Sequence, residues 1–409
     1  MRRLVWTFAD QGLSSLTNAG LAFWAAQGAS RPEFGAFGLA LTAFTFVVGL
    51  GRAVAGETFV VRFSATSRGA VLGAALVLGC ACGVVCGVVG LALGAGGRPL
   101  LALGVVLPGL LVQDALRYAC FAAGHPRSAA GVDLVWAVGQ AVSFGLLGFA
   151  PAWALVLAWG GSATLAAVVG CVATRVVPRP STAWLRETRG LGLPLALDFA
   201  LVMGALNLAT FVVAGIVGLP GVGALRGAQV LLGPLNLLLA AASALVLPAM
   251  MRGRVDARRV SLACLGVSVA WVGFLLLLPG AAGERLLGES WAGARSVLAA
   301  GGLTYLAMAG VLGASLGLKA AGRGDLVLRV ALVQAPVVLV AGVLGAVVSG
   351  ARGAAYGFAG AELLSAVLTW WLFAQAQRAQ DPGEHRRVRL EEAAGQHEDQ
   401  YAQGRREHG

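Results

Sequence analysis

The fold class this sequence predicts is an all-α protein that crosses a membrane many times, and three observations predict it. Of the 409 residues, 58% are hydrophobic and only 12% are charged, about half the charged share of an ordinary soluble domain. Stretches with few charges, among them 69–94, 141–174, 227–250 and 260–283, are each long enough to cross a hydrocarbon layer of roughly 30 Å as a helix. The basic residues between such stretches alternate from loop to loop between rich and poor, as they do when one set of loops is held in the cytoplasm.

Apolar length, with Gly, Pro and Arg as punctuation, places twelve spans at about 4–26, 36–61, 69–94, 99–123, 129–149, 152–174, 191–217, 222–250, 260–283, 296–318, 325–348 and 353–376. The opening "MRRLVWTFADQ" reads as a retained first span more than as a cleavable leader, because Asp10, Gln11 and Asn18 interrupt its apolar region and another span follows closely. Span 2 opens on "FGAFGLA" and carries Arg52 and Glu57 before the loop "RFSATSR". Cys80, Cys82 and Cys86 in span 3, like Cys120, Cys171 and Cys264 elsewhere, sit inside apolar runs at spacings that fit small hydrophobes and not a metal centre. Spans 4 and 5 form a hairpin around "AGHPRSA", and "FAPAW" separates 5 from 6.

The longest connection, "VVPRPSTAWLRETRG", falls after six spans and divides the chain into an N-terminal lobe (1–177), a cytoplasmic linker (178–190) and a C-terminal lobe (191–376). Asp10 and Asn18 of span 1 match Asp198 and Asn207 of span 7, and "FGAFGLA" matches "VGALRGA" of span 8 at the same offset, a pattern of internal duplication. With six spans per lobe both copies share one orientation, so their pseudo-twofold axis is expected along the membrane normal. Residues 377–409 are polar and mixed in charge and cannot bury a core, so they read as a cytoplasmic tail.

The loops on one side carry fifteen Lys and Arg before the tail, and those on the other carry Arg31, Arg98, Arg285, Arg295 and Arg352. That asymmetry puts both termini in the cytoplasm, and it makes the net charge of +11 an orientation signal instead of a nucleic-acid footprint. The 60 glycines have no strict period and no phosphate-loop pattern, so they read as small residues that let helices approach. No cofactor and no metal is called for. The longest external loop, "GAAGERLLGESWAGAR", offers no set of nucleophile, base and orienter, which speaks against an enzyme.

Ionisable groups at membrane depth are costly and face one another or an aqueous cavity. Arg117 and Asp133 lie equally far from His125 at the turn, so both sit roughly 12 Å inward on the hairpin, and Asp114 shares the face of Arg117. An Asp114–Arg117–Asp133 cluster stitching span 4 to span 5 is expected. Arg52 lies about 15 Å inside span 2 with no carboxylate at helical spacing, so its partner comes from another helix, Asp10 or Glu362, or from an anionic ligand. Asp10, Asp198 and Glu362 are candidates for coupling to protons or sodium.

"WTFADQGLSSLTN", "QDALRYACFAAGHPRSA" and "GALRGAQVLLGPLN" resemble the polysaccharide-export flippases, including the O-antigen flippases, of the multidrug/oligosaccharidyl-lipid/polysaccharide (MOP) exporter superfamily. The resemblance covers most of residues 1–376. It implies two six-helix lobes around a cavity that opens alternately to each side of the bacterial cytoplasmic membrane. It also implies a substrate of lipid-linked oligosaccharide moved from the inner to the outer leaflet, driven by H+ or Na+. Paired hydrogen bonds to a pyrophosphate suit arginine, and Arg52, Arg117 and Arg226 are the candidates in that order. Many flippases of the superfamily have fourteen spans, two more than here. A drug or cation antiporter of the same fold is the alternative, and a membrane-embedded glycan polymerase or acyltransferase is the next. Against a major facilitator, the loop after span 2 lacks the expected basic Gly-Asp-Arg pattern.

Overall fold

The computed structural model describes residues 2–61 and 67–380; the loop after span 2 and the tail from 381 onward lie outside the described residues. Every regular element described is helical: α1 (Arg2–Gly28), α2 (Arg31–Gly51) continuing through a π-helical turn (Arg52–Glu57) into α3 (Thr58–Val61), α4 (Arg68–Ala92), α5 (Arg98–Ala122), α6 (Pro126–Leu147), α7 (Ala152–Thr174), α8 (Thr182–Met251), α9 (Ala257–Leu277), α10 (Gly280–Leu287), α11 (Ser290–Ala320) and α12 (Gly324–Gln380). Nine helical stretches among the described residues are long and apolar enough to cross a membrane. Two of these, in α8 and α12, are bent into two arms, at Gly218 and at Ser349–Gly350. The bends need a left-handed residue, and glycine supplies it with φ of 69° at Gly218 and 59° at Gly350. Counting the arms separately, and adding α1 with its polar Asp10–Asn18 stretch, twelve rods follow the twelve expected spans.

Three boundaries differ from the sequence reading. The stretch taken as a linker is already helical from Thr182, because the Ser181 hydroxyl accepts from Trp184 N at 3.2 Å and caps the helix, and the charged residues behind it are sound helix formers. The stretch "GAAGERLLGESWAGAR", read as a loop, is the short helix α10 and the start of α11. The last helix runs to Gln380, past the expected onset of the tail.

Close approach of glycine-bearing faces holds the helices together, as expected where lipid offers no hydrophobic gain for packing. Gly79, Gly83 and Gly90 of α4 lie against Pro108, Gly104 and the Gly97–Leu101 backbone of α5 so tightly that an added Cβ would collide. In the N-terminal half α5 packs on α4 and α7, and α6 on α1 and α7; in the C-terminal half α11 packs on α8, α9 and α12. Contact between the halves runs chiefly along α2 and α8, which lie antiparallel: Gly35 meets Leu219, Gly49 meets the Phe199 ring, and Gly192 meets Val54 and Thr58. At the arginine-poor end this seam is reinforced by Arg31 Nε donating to Glu289 O at 2.8 Å and Gln27 Nε2 to Arg285 O at 3.2 Å.

Candidate functional site

One cluster of charge sits inside the N-terminal half. Gln113, Asp114 and Arg117 share one face of α5; α1 brings Asp10 and Ser14, α2 brings Arg52, and α6 brings Asp133. Arg117 donates to both oxygens of Asp10, from Nη1 to Asp114 Oδ1 at 3.3 Å, and more weakly to Ser14 Oγ at 3.5 Å; its Nε lies 3.3 Å from Asp133 Oδ2. Gln113 Nε2 donates to the other oxygen of Asp133. The centre of the cluster is buried: Arg117 is 6% exposed, Asp10 1% and Asp133 0%. Ion pairs removed this far from water persist because each group's loss of hydration is answered by a partner.

The predicted Asp114–Arg117–Asp133 cluster thus forms, and Asp10 joins it from α1. Arg52 joins it as well, in a bidentate pair with Asp114, Nε to Oδ2 at 2.9 Å and Nη2 to Oδ1 at 2.7 Å. This corrects the two partners expected for Arg52, Asp10 and Glu362: Asp10 is taken up by Arg117, and Glu362 accepts from Gln334 Nε2 at 2.7 Å in the C-terminal half. Arg52 begins the π-helical turn, where the wider i→i+5 pattern shifts a side chain off the register of a regular helix. Its side chain is 40% exposed.

Arg52, Asp114 and Arg117 line a cavity of about 370 Å³ together with Ser14, Asn18, Gln113, Phe44, Trp136 and, from α8, Phe199 and Arg226. The three candidate arginines therefore do converge on one space between the halves. Their situations differ. Arg117 is held by three carboxylates, Arg52 pairs with Asp114, and Arg226 has Gln229 Oε1 at 3.2 Å and no carboxylate within 4 Å among the described residues. Arg226 also borders a second cavity of about 390 Å³, lined mainly by the C-terminal half with Thr42 and Thr45 of α2, which includes Asn207, Gln229, Asn236, Tyr305 and Glu362. There Asn236 Nδ2 donates to the Tyr305 hydroxyl at 2.7 Å. Gln334 and Ser365, which were not singled out from the sequence, join Glu362 in a hydrogen-bonded set on a third cavity of about 580 Å³. Asp198 lies on α8, and its side chain is outside the described residues.

An all-helical bundle with buried ion pairs facing an internal cavity defines an integral, multi-pass membrane protein with the fold of the MOP-superfamily transporters. The solved structures it is similar to include an inward-facing multidrug resistance MATE family transporter (15% identity, TM-score 0.67, covering 91% of this chain and 98% of that one) and the lipid II flippase MurJ in its inward closed conformation (11% identity, TM-score 0.70, 90% and 87%). An outward-facing MATE family transporter also matches, at 16% identity and TM-score 0.56, over 92% and 94%. At these identities the likeness is one of fold. No family model matches the sequence, and no curated relative matches it.

Proposed function

We propose that this protein is a transporter that moves a lipid-linked oligosaccharide precursor between membrane leaflets by alternating access, using the two six-helix lobes read from the sequence. The observation that carries this reading is the convergence of Arg52 and Arg226, one from each half, on a single cavity. Two guanidiniums, one half-exposed and one with no carboxylate within 4 Å among the described residues, suit the two phosphates of a pyrophosphate linkage. The hydroxyls, amides and aromatic rings beside them suit a sugar. Arg117, spent on Asp10, Asp114 and Asp133, supports the site and does not contact substrate. The lipid II flippase shares this fold, which makes the proposal consistent with the architecture.

In proteoliposomes carrying a fluorescent isoprenoid-pyrophosphate lipid, Arg52→Ala and Arg226→Ala are each expected to slow flipping at least about tenfold, the cost of one lost charge-assisted contact. Arg52→Lys recovers part of it, and insertion stays normal because Asp114 keeps Arg117. Unchanged flipping in Arg52→Ala would remove Arg52 from the mechanism.

Export of an organic cation is the second reading, favoured by Glu362 on the C-terminal cavities. Export of a soluble cation with no lipid flipped would decide for it. For energy coupling, Asp10, Asp198 and Glu362 are the assigned carboxylates. Asp10→Asn and Asp198→Asn are expected to change the pH or sodium dependence of transport, and the same dependence in both variants eliminates Asp10 and Asp198 as coupling sites.

A further inference from the structure

We propose that a slot on the lipid-facing wall of the N-terminal half binds an anionic phospholipid of the surrounding leaflet, one acyl chain lying in the slot and the phosphate on Arg175. The slot, about 610 Å³, runs between α4, α5 and α7, with Leu76, Val105, Pro108, Thr164 and Val168 in its walls. It opens toward the bilayer, since Val105 and Val168 are 69% and 55% exposed. Gly109 of α5 lies in its wall against Thr164 of α7, with no room for a Cβ.

Length and charge fix the kind of occupant. From Thr164 to Arg175 the slot follows α7 for about 16 Å, close to half of a hydrocarbon layer of roughly 30 Å, so it spans one leaflet and ends at headgroup level. At that end the chain folds over the slot: Val176 N donates to Cys171 O at 3.0 Å and Arg179 N to Gly69 O at 2.8 Å. Arg175 is the one charged residue lining the slot, and no carboxylate lies within 4 Å of it among the described residues.

Its backbone is informative too. With φ of 55°, Arg175 is the one left-handed residue among those described that is not glycine. A turn here is better served by glycine, so the guanidinium stands where the backbone alone would not select it. A zwitterionic lipid would fill the slot but bring a phosphate already balanced by its own ammonium, and a soluble phosphate would answer the cation and leave the slot empty. A lipid with an anionic head does both, as basic pockets between transmembrane helices do on the arginine-rich side.

The test uses the full chain reconstituted with photoactivatable phosphatidylglycerol or phosphatidylcholine carrying the reactive group on the same acyl chain, with adducts mapped by mass spectrometry. Labelling of residues 105–112 and 164–172 is expected to favour phosphatidylglycerol about fivefold, the worth of one basic residue at an anionic headgroup. Arg175→Gly removes that preference while thermal stability is kept or raised, and Val168→Trp, which fills the slot, abolishes labelling by both lipids. Equal labelling by the two lipids in the wild type overturns the proposal, as does a preference that survives Arg175→Gly. Soluble glycerol phosphate competing as well as the lipid overturns it in favour of a free-anion site.

Discussion

Replacing Arg117 with leucine is expected to destabilise the protein by about 3–5 kcal/mol, the cost of leaving buried charges without their partner. Asp10, Asp114 and Asp133 all lean on this one guanidinium, and two of the three are almost wholly removed from water. Asp114 retains Arg52 and Asp133 retains Gln113, whereas Asp10 keeps no other partner among the hydrogen bonds and ion pairs described. The largest share of the loss therefore arises at Asp10, and Arg117→Leu combined with Asp10→Asn should recover part of it. Thermal unfolding of the purified variants in one detergent measures both. If the single variant melts with the wild type, the cluster contributes nothing to stability. If the double variant melts below the single, the loss did not come from an unpaired Asp10.

How far this cluster could be read from sequence depended on the range of each contact. Arg117 and Asp133 stand symmetrically about the turn at His125, and a helical hairpin places such residues at one depth whatever surrounds it. Asp114 follows from helix geometry alone. The pairing of Asp10 with Arg117 needs α1 to pack on α6, and that of Arg52 with Asp114 needs α2 to cross α5 with the π-helical turn in place. No periodicity encodes either contact, so both partners were missed.

The same distinction runs through the fold. Rod number was legible because apolar length and glycine punctuation are local properties. The early start of α8 was not, because a short amphipathic run of Arg, Glu and Trp after a serine cap has the composition of a loop beside so apolar a chain. Arg226 was legible as an intramembrane charge, but its distance from every carboxylate among the described residues is a property of the assembled bundle.

A leucine at Gly35 is expected to separate the two halves at the arginine-poor end and hold them apart. There the backbone of α2 lies directly on the Leu219 carbonyl, with no room for even a methyl group. Leu219 follows the left-handed Gly218 at the bend of α8 and precedes Pro220, so the carbonyl belongs to a stretch of chain that cannot shift cheaply. The polar side-chain contacts across this end are exposed: Arg31 on the Glu289 carbonyl and Gln27 on the Arg285 carbonyl. The two hydrogen bonds together contribute about 1–3 kcal/mol, no more than the typical 1–3 kcal/mol of overpacking a close backbone contact, whereas each half is held by extensive buried helix packing of its own. The seam should therefore part before either half unfolds. Spin labels placed at residues 27 and 285 report the outcome as a distance: longer and narrowly distributed in Gly35→Leu, with flipping lost and thermal stability of each half retained. An unchanged distance with normal flipping would mean that this seam does not move during transport, and alternating access across it would have to be abandoned.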